Sequence, residues 1–262
     1  MYLTEVFFHN TRPKNTDEQI LLLNQVIEQW RYNGQLIGRE IPLFLAAHTQ
    51  EKENGFALRI VCPEQQSLLP EYNNAEVDRA LAEAEKCGLI LTSFQIIADD
   101  LNSDMTYEGH HPAWQVLYTT YLQSCSPLHS GDDLTPIPLY KQLQDIPHLS
   151  QDIIKWQENW QACDQLQMNG SVLEKQALHE ISGTDGNLFK HGYHLTQEIE
   201  RYTGIPTYYY LYRVGGESLK TEKNRHCPIC RGKWALDRSL FDIFYFKCDN
   251  CRLVSNLSWN WQ

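Results

Sequence analysis

The sequence predicts an α+β protein built from three segments, and this expectation rests on two patterns. Residues 1–105 alternate between strand-like apolar runs and amphipathic helical stretches, and two Cys-x-x-Cys pairs lie within residues 215–262. The connecting residues 106–214 have mainly helical periodicity. A length of 262 residues, with 42% hydrophobic and 21% charged residues, suits a globular chain of two or three domains.

The first segment has the order β-α-β-β-α-β. Alternation and β-branched or aromatic residues predict the strands, and the polar run 51–55 predicts a hairpin turn. The first helix is predicted by the helical spacing of Ile20, Leu23, Val26, Ile27 and Trp30. This order is that of the split βαβ, ferredoxin-like arrangement. The expected strands are 2–9, 41–48, 56–62 and 89–98, and the expected helices begin at Thr16 and near Val77.

The middle segment, 106–214, is predicted to be a mixed, mainly helical α/β region. Asn169-Gly170 separates two helical stretches, which indicates an αα-hairpin, and Gly204 with Pro206 ends a further helix. The run 114–122 is compatible with a strand or a helix, and 126–138 should be largely loop. The expected helices are 153–166, 172–181 and 188–202, followed by a tyrosine-rich strand at 207–214.

The eight cysteines fall into two groups. Cys62, Cys87, Cys125 and Cys163 are scattered singly in or beside apolar stretches, which indicates free thiols that act as small hydrophobes. The others are paired as Cys-Pro-Ile-Cys and Cys-Asp-Asn-Cys, 17 residues apart, a spacing typical of a four-thiolate zinc site. The predicted ligands are Cys227, Cys230, Cys248 and Cys251.

The spacing has a direct physical reason. Two thiolates on one tetrahedral ion lie about 3.7 Å apart, because the Zn–S distance is near 2.3 Å, and a Cys-x-x-Cys turn presents its sulfurs at that separation. Pro228 fixes φ in the turn, and Gly232 is expected to take a positive φ just after it. We therefore predict a zinc ribbon holding one structural Zn²⁺. A redox role is disfavoured, since no helix pattern follows either pair.

The charge distribution is uneven. Residues 215–262 carry 8 Lys and Arg and 5 Asp and Glu, a net charge of +3, whereas residues 1–214 carry 14 and 28, a net charge of −14. The overall charge of −11 argues against indiscriminate nucleic-acid binding. The basic tail could still contact phosphates, and exposed aromatic rings there could stack on bases. The candidate nucleic-acid-binding cations are Arg225, Arg231, Lys233, Arg238, Lys247 and Arg252, and the aromatic residues among them are Trp234, Phe241, Phe244, Tyr245, Phe246, Trp259 and Trp261.

Several runs resemble a bacterial family of uncharacterised proteins described as containing a zinc ribbon and as candidates for nucleic-acid binding. The resemblance implies a zinc ribbon at the C-terminus, and one departure is that Arg231 stands where ribbons usually have glycine directly after the second cysteine. The runs that carry it are 225–230 and 246–256 in the tail, and 126–128, 136–140, 160–164 and 203–211 upstream.

Three functions remain open at this point. The ribbon could bind nucleic acid or a ribonucleoprotein, or the chain could be a protein-interaction adaptor in which the zinc is purely structural. An enzyme is disfavoured, because no Rossmann, P-loop, nucleophile-elbow or H-E-x-x-H motif occurs and no catalytic residues are assigned. A second site would need His110, His111, His129 and the pair Asp132-Asp133. Two aspartates before a proline-rich stretch more often form an Asx turn.

The sequence also predicts the compartment. No run of about 18 apolar residues occurs, so neither a transmembrane helix nor a membrane partner is expected. The N-terminus lacks the basic and apolar regions of a signal peptide. With unpaired cysteines, this indicates a cytoplasmic protein.

Overall fold

The computed structural model describes residues 1–12, 16–47, 54–109 and 111–261 of the chain. Its residues form two compact units. The first contains Met1–Thr106, Ser124–Ser126 and Pro136–Gln151, and the second contains Tyr107–Gln123, Pro127–Thr135 and Asp152–Gln262. The middle and C-terminal segments of the sequence thus contribute together to the second unit.

The first unit is a four-stranded antiparallel sheet with two long helices. Along the chain the order is β1 (Tyr2–Asn10), α1 (Thr16–Asn33), β2 (Leu43–Ala47), β3 (Asn54–Cys62), α2 (Ala75–Lys86) and β4 (Leu89–Asp99). The strands are arranged as β2-β3-β1-β4, and every neighbouring pair is antiparallel. A short 3₁₀ turn at Pro70–Tyr72 precedes α2, and the four-residue helix α3 (Leu139–Gln142) belongs to the same unit.

The core of this unit lies between the sheet and the two helices. Val6, Phe8 and Leu58 of the sheet are fully buried with Leu23 and Trp30 of α1, which confirms the apolar face predicted for that helix. Ile20 is the exception on that face, because it is partly exposed.

Gln19 is buried instead of Ile20. Its amide donates hydrogen bonds to Asn10 Oδ1 and to the carbonyl of Arg12, both at 2.9 Å. A polar side chain thus ties α1 to the end of β1.

The second unit contains the remaining elements. Its strands are β5 (Gln115–Leu117), β6 (Leu128–Ser130), β7 (Thr207–Leu211), β8 (Ala235–Leu240), β9 (Phe244–Cys248) and β10 (Leu253–Asn256). Its helices are most of α4 (Pro147–Asn169), α5 (Glu174–Ser182), α6 (Asn187–Thr203) and α7 (Leu219–Lys223), with a 3₁₀ turn at Trp259–Trp261. The described part of the chain therefore has a mixed α+β fold.

One six-stranded sheet organises this unit, in the order β6-β5-β7-β10-β9-β8. The tyrosine-rich strand β7 is central and buried throughout, and it runs parallel to both β5 and β10. The C-terminal strands β8, β9 and β10 pair antiparallel and extend the same sheet. The C-terminal hairpin is therefore joined by backbone hydrogen bonds to the strands upstream of it.

Close packing of α6 on the sheet depends on Gly192. Tyr209 of β7 lies edge-on to Trp156 of α4 and to Phe189 of α6, with ring centres 5.8 and 5.1 Å apart. A Cβ atom on Gly192 would lie 2.3 Å from Trp156 Nε1 and 2.5 Å from Tyr209 Cε2. Any larger residue would push the helix away from the sheet.

Some predicted boundaries differ from those observed. Asn54 and Gly55 belong to β3, and residues 51–53 of the predicted turn, like His48 of the predicted strand, lie outside the described residues. The predicted loop 126–138 contains the short strand β6, because its residues pair with β5. The charged stretch 217–225 contains α7, and the Ser218 hydroxyl caps this helix by accepting a hydrogen bond from the N–H of Thr221.

Candidate metal centre

The first cysteine turn comprises residues 227–231 and is called the first knuckle. The N–H of Arg231 donates to the carbonyl of Cys227 at 3.0 Å, and the N–H of Cys227 donates to the carbonyl of Gly232 at 3.0 Å. The positive φ predicted for Gly232 is wrong, because it falls instead on Arg231, at 61°. An arginine thus takes the left-handed conformation in which glycine has no steric cost.

The second cysteine turn comprises residues 248–252 and is called the second knuckle. It forms the turn between β9 and β10, so the sheet positions it from both sides. Arg252 has a φ of 48°, the counterpart of Arg231 in the first knuckle. The Tyr193 hydroxyl of α6 donates a hydrogen bond to the carbonyl of Cys251 at 3.0 Å. This knuckle is therefore held by both the sheet and a helix.

The two knuckles bring their four sulfur atoms together. The Sγ atoms of Cys227, Cys230, Cys248 and Cys251 all lie within 4.8 Å of one another, and none forms a disulfide. The Cys230 and Cys248 sulfurs are 3.6 Å apart, close to the roughly 3.7 Å that a tetrahedral thiolate site requires. Cys230 is exposed and the other three are buried. These residues could hold a metal ion.

The electrostatics of the cluster favour a bound cation. A hydrogen bond from the backbone N–H of Gly232 lowers the pKa of the Cys230 thiol to about 7. Burial raises the pKa of both Cys248 and Cys251 above the ordinary thiol value. Several thiolates at this separation need a positive charge among them to ionise together, and a metal ion supplies that charge.

Arg225, which precedes the first knuckle, is engaged inside the chain. Its guanidinium donates to Ser255 Oγ at 2.8 Å and to the carbonyl of Asn256 at 2.6 Å, and it lies 4.0 Å from the centre of the Phe246 ring. Glu222, itself buried, lies 3.4 Å from Arg225 Nε. Burial lowers the pKa of Arg225 to about 10.

Lys247 and Arg252, which flank the second knuckle, also have partners within the chain. Lys247 pairs with Asp249 and donates to the Tyr208 hydroxyl at 2.9 Å. Arg252 makes a two-pronged contact with Glu200 of α6, at 3.0 and 2.9 Å. Each of these cations is neutralised by a carboxylate of the same unit.

The remaining three candidate cations are exposed. Arg231, Lys233 and Arg238 form no ion pair within the described part of the chain. They could meet an external anion, whereas Arg225, Lys247 and Arg252 already have internal partners. Nucleic-acid binding by any of the six stays a prediction.

Most aromatic residues of the tail are packed inside it. Trp234, Phe244 and Phe246 are buried, and Phe241 and Tyr245 are half-buried. Trp259 remains about half exposed, at 51%, and the side chain of Trp261 lies outside the described ones. Base stacking on residues 215–262 could therefore use few of the rings that the sequence suggested.

The other candidate residues that the structure describes do not form a second cluster. Asp133 accepts a hydrogen bond from the N–H of Thr135 at 3.0 Å, as an Asx turn requires, and Asp132 accepts from Tyr107 at 3.0 Å. His129 is buried in β6, His111 is exposed, and His110 lies outside the described residues. Among the described residues, the four-cysteine group is the one set of three or more ligating side chains within metal-binding distance.

One site residue was missed by sequence reasoning. The stretch 190–194 has the helical spacing of a surface face, yet Tyr193 points its hydroxyl at the second knuckle. No local signal distinguishes it, because the contact joins residues 58 positions apart.

No helix within the described residues is both long and apolar enough to cross a bilayer.

The fold and the sulfur cluster define a two-unit α+β protein with a candidate metal centre, and comparison with known proteins gives its family. A Haemophilus influenzae (strain Rd) protein with the name "Uncharacterized protein" is 66% identical over 261 residues, which covers 99% of both chains. A second protein of that strain, with the same name, is 63% identical over 200 residues, covering 76% of this chain and 94% of its own. The chain belongs to the bacterial family of these proteins.

Three family models match successive parts of the chain. Residues 1–98, 109–212 and 216–261 each match a domain of unknown function, DUF8589, DUF2310 and DUF8594 respectively. No solved structure matches the chain.

Proposed function

We propose that the chain is a zinc-ribbon protein whose first knuckle contacts the phosphates of single-stranded nucleic acid. Four thiolates suit Zn²⁺, which prefers soft ligands in a tetrahedral site. The sulfur separations support this ion, and four protein ligands leave no position for a reactive water. The zinc is accordingly structural. The strand order of the first unit likewise supports a ferredoxin-like domain.

The conformation of Arg231 carries the proposal for nucleic acid. A left-handed φ costs an arginine roughly 1–2 kcal/mol that a glycine would not incur. Arg252 occupies the corresponding position of the second knuckle, and there the guanidinium binds the carboxylate of Glu200. Arg231 has the same local geometry without an ion pair among the described residues, which leaves its guanidinium available to an anion outside the chain.

The surroundings of Arg231 suit a phosphate backbone. Lys233 is exposed two residues further on, and Ile229 at the tip of the knuckle is 43% exposed. Two cations beside an apolar tip can hold a phosphate and the edge of an unstacked nucleotide. Repulsion from the acidic remainder of the chain limits the contact to this small surface and makes it sensitive to salt.

The test compares two charge-matched double variants. Arg231→Gln/Lys233→Gln removes the exposed pair of the first knuckle, and Lys220→Gln/Lys223→Gln removes two exposed lysines of α7. Binding of a fluorescent thymidine oligonucleotide would be measured by anisotropy between low and physiological salt. Each lost phosphate contact should reduce the slope of log affinity against log salt by about 0.7. We expect this loss in the knuckle variant and a near-native slope in the α7 variant.

The opposite result would favour the adaptor function. If both double variants keep the native slope, or if the native chain binds no oligonucleotide at low salt, the first knuckle does not read phosphate. The burial of Trp234, Phe244 and Phe246 is the observation that favours a structural zinc in a protein-interaction adaptor. Affinity capture with a basic protein partner, compared between the same variants, would then be the next measurement.

A further inference from the structure

An open groove lies between α6 and the second knuckle. Its volume is about 440 Å³, within the range of small-molecule sites. Tyr193 and Gln197 line it from the helix, and Asn250 and Arg252 line it from the knuckle. The contacts described above do not use this space.

The charges that line the groove are already compensated. Glu200 is paired with Arg252, Asp249 with Lys247, and Arg201 with Glu198. A strongly charged ligand therefore gains little there. The side-chain amides of Gln197 and Asn250 are exposed, and each offers both a donor and an acceptor. This combination suits a neutral ligand whose edge carries donors and acceptors together, as a nucleobase does.

The groove also offers flat surfaces. The Tyr193 ring is stacked on Phe189, with centres 5.4 Å apart and an angle of 11° between the planes. The guanidinium of Arg252, held flat by its two-pronged contact with Glu200, is a second planar group. Phe189 lies against the Tyr193 ring, and the Arg252 guanidinium lies over the Tyr208 ring, 5.5 Å from its centre. A planar heteroaromatic ring would stack on the opposite face of either group, whereas a sugar or a phosphate would use neither face fully.

The groove is close to the phosphate contact proposed for the first knuckle. Arg231 follows Cys230, Asn250 precedes Cys251, and the sulfurs of these two cysteines lie within 4.8 Å of each other. Because each of these residues is adjacent to its cysteine, a strand of a few nucleotides is long enough to place one phosphate at Arg231 and a base beside Asn250. We infer that the groove between α6 and the second knuckle binds one base of a single-stranded nucleic acid whose phosphates contact the first knuckle. This inference rests on the proposed function.

The experiment separates the base from the backbone. The full chain would be titrated with a thymidine octanucleotide and with an octamer of the same backbone that carries no bases. The native chain should bind the base-bearing strand about fivefold or more tightly than the abasic strand. Gln197→Ala/Asn250→Ala should clearly lower this ratio, because it removes the contacts to the edge of the base, while leaving the salt slope unchanged. Asn169→Ala/Gln176→Ala, which removes two exposed amides that do not line the groove, should keep the native ratio.

Each other outcome overturns a different statement. Equal binding of the two octamers would show that no base is held, while the phosphate contact would stand. A ratio that survives Gln197→Ala/Asn250→Ala would place the base elsewhere. Absence of binding to both octamers at low salt would contradict the proposed function and the inference with it.

A direct readout is independent of the phosphate contact. Titration with thymidine 5′-monophosphate should shift the side-chain amide resonances of Gln197 and Asn250 and leave those of Asn169 and Gln176 in place. Unshifted resonances at millimolar nucleotide would overturn the inference even if oligonucleotides bind.

Discussion

The two knuckles share the sequence Cys-x-x-Cys-Arg and a left-handed arginine, yet their surroundings differ. The second knuckle is a turn of the central sheet, contacts Tyr193 of α6, and has its arginine paired with Glu200. The first knuckle lies before β8 at the edge of the sheet, and its Cys230, Ile229 and Arg231 are exposed. One local motif thus serves as an internal anchor in one place and as an outward-facing surface in the other.

This difference teaches that cation counts alone do not locate a binding surface. Of six tail cations, those with a carboxylate of the same unit within reach are Arg225, Lys247 and Arg252. A paired cation contributes to folding and loses much of its attraction for an external phosphate. The first knuckle is the part of the cluster where positive charge stays available.

The largest expected effect concerns the metal ligands. Cys248→Ser should abolish stoichiometric zinc binding and remove a large part of the roughly 10 kcal/mol that a structural zinc contributes to a small domain. Cys230→Ser should also lose zinc but disturb the sheet less, because Cys230 is exposed whereas Cys248 ends β9. Metal analysis and thermal unfolding of both variants would measure this. Retention of one zinc per chain in Cys248→Ser would rule out the four-thiolate site.

The next largest change in stability is expected from losing the buried carboxylate of Glu222, which faces Arg225 just before the first knuckle. Glu222 is buried between Arg225 and Arg213, and Arg213 donates two hydrogen bonds to it at 3.1 Å. Glu222→Ala would remove the carboxylate from both arginines, and breaking a buried pair in this way typically costs about 3–5 kcal/mol. Glu217→Ala, on an exposed residue of the same stretch, is the matched control and should change stability by less than about 0.5 kcal/mol. Urea unfolding of the two variants would give both values. Equal stability of the two would show that the ion pair does not hold the knuckle.

The ion pair of the second knuckle should have a smaller, pH-dependent effect. Hydrogen bonds from Arg252 lower the pKa of Glu200. The pair therefore stabilises the fold above the ordinary glutamate pKa, about 4.3, and this contribution is lost as the pH falls through the lowered value. Glu200→Gln should cost about 1–2 kcal/mol at pH 7, and Arg231→Gln less than about 0.5 kcal/mol.

Unfolding of the native chain and of Glu200→Gln at a series of pH values would test this. Acid would also release a metal ion held by the four cysteines, and it would do so in both proteins, so the difference between them isolates Glu200. This difference should shrink below about pH 4.3. A difference that is constant from pH 7 to pH 3 would contradict the assignment.

The smallest expected change in stability comes from replacing the left-handed arginine of each knuckle by glycine, and its sign differs between the two knuckles. Arg231→Gly should stabilise the chain by about 0.5–1 kcal/mol, because glycine takes the left-handed φ without a steric cost. Arg252→Gly relieves the same strain but loses the pair with Glu200, so it should destabilise. Thermal unfolding would measure both. Destabilisation by Arg231→Gly would mean that the Arg231 side chain has a partner in the fold.

The elements of the first unit follow from local pattern. Alternating apolar residues in Tyr2–Asn10 and the spacing of Leu23, Val26, Ile27 and Trp30 are periodicities that one buried face imposes, so sequence reveals them directly. Short strands are harder to predict from the sequence. Leu128–Ser130 has three residues, too few to show a period, and it is a strand only because β5 lies beside it.

The features of the candidate site also divide into those that the local sequence predicts and those that it does not. The four cysteines are recognisable because ligand spacing within a turn is a local property of the chain. The position of the positive φ cannot be recognised from the sequence. Arg231 takes it rather than Gly232, because of the hydrogen bonds that close the first knuckle. Tyr193 gave no signal, because its partner is the carbonyl of a residue distant in sequence.

The cysteine spacing, most helices and strands, and the basic character of the tail can all be read from the amino-acid sequence. The fold is needed to show which cations are internally paired, which aromatic rings are buried, and that β10 joins the C-terminal hairpin to β7. The two kinds of property differ in the sequence distance over which they act. Turn geometry and periodicity act over a few residues, whereas ion pairing and burial depend on residues that folding brings together.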